Sequence, residues 1–127
     1  MSDYVYGLNK SGLSVIRLLY NQKKNFDCWD DNKKIRNLAK KQIPKLNFKK
    51  INQKKINLYK NIYLTPGISL NDKRFKNISN SQIKRDLDLY YENLKDEKII
   101  AITGTNGKST TTKLIGDILK KNIKKHL

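Results

Sequence analysis

Residues Gly104-Thr105-Asn106-Gly107-Lys108-Ser109 place two glycines, a lysine and a hydroxyl within six positions, a grouping suited to holding phosphate. Successive backbone N–H groups in such a turn form a concave anion nest, and Lys108 adds a point charge for β- and γ-phosphates. The Ser109 hydroxyl is a candidate Mg²⁺ ligand, and Thr110 can help hold phosphate. The loop follows the apolar run "IIAIT" (residues 99–103), expected as a strand. It precedes "TTTKLIGDIL", expected as a helix with Leu114, Ile115, Ile118 and Leu119 as an inward stripe. Strand, glycine-rich turn, Lys-Ser and helix are the context of a P-loop. The longer G-x-x-x-x-G-K-[ST] motif has its first glycine where Ile102 stands, so this is the shorter G-x-x-G-K-S form. A bare helix cap with a solvated lysine is the other reading; the flanking pattern favours a nucleotide.

A second glycine turn lies near the N-terminus, at Gly7-Leu8-Asn9-Lys10-Ser11-Gly12. It differs from the dinucleotide fingerprint G-x-G-x-x-G by Asn9 at the middle glycine, a residue that tolerates the left-handed backbone better than most. A helix starting near Gly12 would present free N–H groups and a positive dipole end to an anion. Asp30, at the tip of the next apolar segment, occupies the place where such folds contact a nucleoside. The same residues equally suit a tight strand-to-helix turn that holds no ligand.

The elements that must position these turns alternate. "YVY" (Tyr4–Tyr6) reads as a strand, "LSVIRLLY" as a helix with Leu13, Ile16, Leu19 and Tyr20 on one face, and "FDCW" (Phe26–Trp29) as a strand. Asp31 is a candidate cap for a helix over "NKKIRNLAKKQI", closed by Pro44, with Ile35, Leu38 and Ala39 on one side. Leu46 and Phe48 alternate as in a strand, within an ambiguous stretch. "NIYL" (Asn61–Leu64) is a clearer strand, and Thr65-Pro66-Gly67 a turn. "NDKRFKNISN" reads as a short helix started by Asn71 or Asp72, and "QIKRD" as a further strand. "LDLYYENL" reads as a helix with Leu87, Tyr90 and Tyr91 inward, and Lys95–Lys98 as a linker. This alternation implies an α/β, Rossmann-like, mainly parallel sheet with flanking helices over residues 1–96. Residues 97–127 then read as the first strand, P-loop and helix of a second domain.

Composition bounds the function. The 127 residues carry 28 Lys+Arg against 11 Asp+Glu, a net charge of +17, and no acid stands between Lys33 and Lys60. A nucleic-acid protein could have this balance, but only four of the cations are arginines (Arg17, Arg36, Arg74, Arg85) and the lysines are scattered. The preferred reading is a lysine-rich solvated surface, with no nucleic acid as partner. A single cysteine, Cys28, excludes an internal disulfide, and with His126 as the one histidine a His/Cys metal site is excluded. No run approaches the length of a membrane span, and "MSDYVYG" does not start a secretory signal, so a cytoplasmic protein without membrane contact is expected.

"ITGTNGKST" resembles the ATP loop of the Mur ligases, which lacks the same first glycine and is shared with folylpolyglutamate synthases. "YGLNKSGLS", "TPGIS" (Thr65–Ser69) and the acidic "RDLDLYYE" ahead of the loop, in that order and spacing, are most similar to the branch that adds D-glutamate to UDP-MurNAc-L-alanine. The resemblance implies a UDP-substrate domain in which Asn9, Lys10 and Ser11 lie along the pyrophosphate, Asp30 at the uracil, and Thr65, Pro66 and Gly67 on the substrate side. It implies ATP and Mg²⁺ as cofactors, with Gly104, Thr105, Asn106, Gly107, Lys108, Ser109 and Thr110 around the ATP phosphates and Ser109 on Mg²⁺. The implied activity is that of an ATP-dependent acid–D-amino-acid ligase of peptidoglycan precursor synthesis. ATP phosphorylates the substrate carboxylate to an acyl phosphate, and the amine of D-glutamate attacks it to give an amide, ADP and phosphate. Another Mur ligase or a different P-loop amide ligase is the nearest alternative; a basic nucleic-acid-binding protein is the non-enzyme one. The resemblance covers nearly the whole chain but only the front of such an enzyme, monomeric at full length. This chain is therefore expected to hold no complete catalytic set and not to catalyse ligation alone, with its last strand and helix poorly anchored.

Overall fold

The computed structural model describes residues 1–123, so His126 lies outside the described residues. The chain forms two compact units, Met1–Leu94 and Lys95–Leu127.

The first unit holds four strands, β1 (Asp3–Tyr6), β2 (Phe26–Trp29), β3 (Ile62–Leu64) and β4 (Ile83–Lys84), in the order β2-β1-β3-β4. Every pairing is parallel, as the alternating sequence pattern implies; Tyr4 faces Asp27 and Ile62, and Ile62 faces Ile83. Alternation assigns the two faces of the sheet. Val5 and Tyr63 point into one core with Leu13, Ile16 and Leu19 of α1 (Lys10–Asn21). Tyr4, Tyr6, Ile62 and Leu64 point into the other with Ile56, Phe75 and Ile78. Full burial of one such large apolar side chain contributes about 1.5–3 kcal/mol. Among the described residues no long helix contributes to the second core. Two single 3-10 turns, Ile56–Leu58 and Lys73–Phe75, cover it instead.

Several expectations need correcting. Tyr20 is 40% exposed, with its ring edge-on to Phe26, and Val15 takes the buried place on α1. The helix α2 (Lys33–Gln42) is capped by Asn32, whose side chain accepts from the Lys34 amide at 2.9 Å, and not by Asp31. The Asp31 carboxylate is already engaged by Tyr6, Trp29 and Arg74. Leu38 on α2 is exposed, while Ala39 is buried. Phe48 does take part in the sheet, through one parallel bridge to Cys28. The expected helix over residues 71–80 shrinks to one turn, started by Asp72, which accepts from the Arg74 amide.

On α3 (Asp86–Tyr91) the phase is the reverse of the expected one: Leu87, Tyr90 and Tyr91 are exposed and Leu89 is buried. Arg85, the cap residue, has its guanidinium tied to the end of β3 at the start of this helix.

In the second unit α4 (Lys108–Ile123) forms as expected. Residues 99–103 form no strand, and Ile99 and Ile100 are exposed, because a strand requires a neighbouring ladder and none pairs with them among the described residues. The expected inward stripe on α4 is open, with Leu114, Ile118 and Leu119 exposed and Ile115 half-buried.

Candidate functional site

Parallel strands that leave β1 in opposite directions create a switch point, and in open α/β sheets ligands bind outside the carboxyl ends of the strands there. In the first unit β1 lies between β2 and β3, so the switch point falls at Gly7 and Thr65. A cleft of about 370 Å³ opens there, lined by Gly7, Asn9, Lys10, Ser11, Asp30 and Thr65, with Ile35, Pro66, Gly67 and Ile68. All seven residues expected on the UDP side, drawn from three separated segments, line this one cleft.

Backbone bonds knit the three strand ends. The Gly7 amide donates to the Trp29 carbonyl at 2.8 Å, and the Thr65 amide to the Tyr6 carbonyl at 3.1 Å. Gly7 has φ +95, and a Cβ built on it would lie 2.1 Å from Thr65 Oγ1. A Cβ on Gly12 would lie 1.9 Å from the Gly7 carbonyl oxygen. Both glycines are therefore demanded by close approach, and they press the first turn of α1 against the β1–β3 seam. Asn9 is the cap residue but makes no side-chain cap bond. The first N–H groups of a helix have no partner inside it, so the amides of Lys10 and Ser11 are available at the mouth of the cleft.

Asp30 is buried and its carboxylate is already used. One oxygen accepts from the Leu8 amide at 2.8 Å, the other from the Asn32 amide at 2.8 Å. It braces the glycine turn against the start of α2, while its residue still lines the cleft. Arg36 supports the same corner from outside, stacked 4.2 Å over the Trp29 ring and donating to the carbonyls of Asp30 (2.6 Å) and Asp31 (3.0 Å).

Two features had no signal in the sequence. One is the cluster around Arg74, which pairs with Asp31 and Asp72 at 2.6 Å each, donates to the Tyr6 hydroxyl, and lies over the Tyr6 and Phe75 rings. The Tyr6 hydroxyl and the Arg74 guanidinium hold the Asp31 carboxyl below its ordinary range, and Arg74 holds Asp72 down to about 2. The other is Arg85, which donates to three carbonyls at and beyond the end of β3. Apart from Asp72 and Phe75, these partners stand 17 to 68 residues away along the chain, which makes them invisible to local pattern reading.

In the second unit Gly104 has φ +147 and Gly107 φ +78, backbone settings that favour glycine and that let the turn enter α4. Lys108 begins that helix and folds its ammonium over the Gly104 carbonyl, with the Thr105 carbonyl 3.4 Å away. Ser109 and Thr110 are exposed, and neither hydroxyl makes a hydrogen bond among the described residues. A positive helix start, a lysine and two free hydroxyls form a donor set that fits a polyphosphate and a hard cation. The described residues contain no helix long and apolar enough to cross a membrane.

The family described as "Mur ligase MurD-like, N-terminal domain" matches residues 2–85. The chain is 39% identical to the UDP-N-acetylmuramoylalanine–D-glutamate ligase of Wolbachia sp. subsp. Brugia malayi, over 95% of this chain and 26% of that protein. It is 38% identical to the protein of the same name from Rickettsia prowazekii (93% and 27%) and 31% identical to that of Caldicellulosiruptor saccharolyticus (92% and 28%). The chain thus spans about a quarter of the length of these curated relatives. A parallel sheet with a glycine turn at its switch point, matched over residues 2–85, places this chain in the Mur ligase family, as a bearer of its MurD-like N-terminal domain.

Proposed function

We propose that the first unit binds UDP-MurNAc-L-alanine in the cleft at the switch point, as part of an ATP-dependent ligase that adds D-glutamate in peptidoglycan precursor synthesis. The observation that carries this reading is the convergence of Asn9, Lys10, Ser11, Asp30, Thr65, Pro66 and Gly67 on one cleft. The free amides of Lys10 and Ser11, with the Lys10 ammonium, take the diphosphate. Asp30 holds the Leu8 backbone at the nucleoside end, and Thr65–Gly67 form the wall toward the sugar and its alanine.

In the second unit the amides of Gly104–Gly107 and the Lys108 ammonium hold the ATP phosphates, with Thr110 beside them and Ser109 on Mg²⁺. ATP supplies the phosphoryl group that activates a carboxylate for amide formation. For Lys108 to reach a phosphate, its ammonium exchanges the Gly104 carbonyl for an oxyanion, a stronger charge-assisted bond.

The test is a thermal titration with UDP-MurNAc-L-alanine, UDP and longer UDP-MurNAc-peptides. Protection that is greatest with UDP-MurNAc-L-alanine is expected, and no response at about millimolar ligand, a binding free energy near 4 kcal/mol, counts against the reading. For the second unit, Lys108→Met is expected to abolish MgATP binding seen by ³¹P NMR without altering UDP binding. Equal MgATP affinity in this variant removes the lysine from the phosphate site.

A further inference from the structure

We propose that Arg85 is a positioning residue for the cleft, holding the Thr65–Ile68 wall in place and so determining how well the cleft accepts the part of the ligand beyond the UDP diphosphate. This rests on the reading of the cleft given above. Arg85 does not line the cleft; it stands behind the wall. Its Nη1 donates to the carbonyls of Leu64 (3.0 Å), Thr65 (2.8 Å) and Ile68 (3.2 Å), and Nη2 donates again to Ile68 at 3.2 Å.

At its ends the wall is anchored by Thr65, whose side chain packs on Gly7 and Gly12, and by Ile68, which packs against the second core. The Thr65 amide is held by Tyr6, and the Ile68 amide closes the turn on the Thr65 carbonyl at 2.9 Å. Gly67 has nothing within 4 Å of the place where a Cβ would stand, so no packing confines the turn there. The guanidinium itself is held at its root, because the Arg85 amide donates to the Asp88 carboxylate at 2.6 Å and fixes the start of α3. All three carbonyls lie around the one nitrogen Nη1, and the rigid guanidinium plane, with Nη2 also bonded to Ile68, holds that nitrogen in place better than a flexible stem holds a single ammonium. Loss of the fork leaves the Leu64 carbonyl, at a buried residue, short of a partner and frees the turn to sample other shapes. A wall that must be ordered on binding lowers affinity for whatever touches it.

The experiment uses the 127-residue chain with Arg85→Met, which keeps an unbranched stem without donors, and Arg85→Lys. Amide hydrogen exchange reads the tether and calorimetric titration reads the ligands, at temperatures where circular dichroism shows each variant folded. In Arg85→Met the Ile68 amide is expected to exchange at least about tenfold faster, while the Thr65 amide, bonded across to Tyr6, stays within about threefold. Affinity for UDP-MurNAc-L-alanine falls about tenfold or more and affinity for UDP by less than about threefold, with Arg85→Lys between wild type and Met. If Arg85→Met does not fold, the same two comparisons are made with Arg85→Lys.

Unchanged Ile68 exchange overturns the proposal, and so does an equal loss of both ligands. If the wild-type chain binds neither ligand, the cleft reading fails and the Ile68 exchange still decides the tether. If wild type and variants bind UDP-MurNAc-L-alanine alike, the cleft reading stands and the role of Arg85 falls.

Discussion

Substituting Gly12 by alanine probes the seam on which the cleft depends. A Cβ at this position would lie 1.9 Å from the Gly7 carbonyl oxygen and 2.9 Å from its carbonyl carbon. Restoring even a tight 3.4 Å contact requires the helix start to retreat by roughly 1.5 Å. The obstacle is backbone, and Gly7 is itself fixed by its amide bond to Trp29 and its approach to Thr65, so neither side yields cheaply. Overpacking of this kind costs about 1–3 kcal/mol, and a backbone clash belongs at the upper end. The helix-propensity gain of alanine over glycine, up to about 1 kcal/mol, offsets part of it. A net loss of about 2 kcal/mol is expected, a large share of the ~5–15 kcal/mol that holds a domain of ordinary stability. Urea unfolding followed by circular dichroism measures it. Gly67→Ala, with nothing within 4 Å, serves as the control and should stay within about 0.5 kcal/mol of wild type. The same retreat carries the Lys10 and Ser11 amides away from the cleft, so UDP affinity should fall in the fraction that remains folded. Gly12→Ala with wild-type stability and wild-type UDP affinity refutes the close-approach argument.

Three further outcomes are expected. Asp30→Ala strips the Leu8 and Asn32 amides of their acceptor, costing about 1–3 kcal/mol for a buried donor left unpaired, and the Leu8 amide should lose its exchange protection. Acid stability should depend on Arg74: Asp72 is held at about 2 against roughly 3.9 in the unfolded chain, so its contribution is full above about pH 4 and is lost as pH falls toward 2. The urea midpoint of wild type should therefore drop more steeply across that window than that of Asp72→Asn, and parallel curves would contradict the pairing. Cys28 is fully buried, with its thiol pushed up to about 12 by desolvation, so alkylation by iodoacetamide at pH 8 should proceed only at the rate of unfolding. Rapid labelling of the native protein would show that the β2 core is open.

Sequence by itself determined the alternation of strands and helices, the two glycine turns and the residue types around them. These are local properties: apolar period, turn chemistry and charge are written within a few residues of one another. Asn9, Lys10, Ser11, Asp30, Thr65, Pro66 and Gly67 were named because three short segments resemble those of the Mur ligases, and the parallel sheet that gathers them followed from the order of the elements. Tertiary structure decided the remainder. Whether Asp30 was a free carboxylate or a brace depended on a partner 22 residues away, the Leu8 amide. The face that α3 buries, Leu89 and not Leu87, Tyr90 and Tyr91, was set where the helix docks on the sheet, next to an Arg85 that reaches 20 residues back to the Thr65 carbonyl. The run at 99–103 has a strand's composition but no ladder, since β-propensity expresses pairing with neighbours and not a property of the segment alone. Side-chain partners far apart in the chain meet only after the sheet has set its order, and for that reason the Arg74 and Arg85 clusters belong to the fold and not to the sequence pattern.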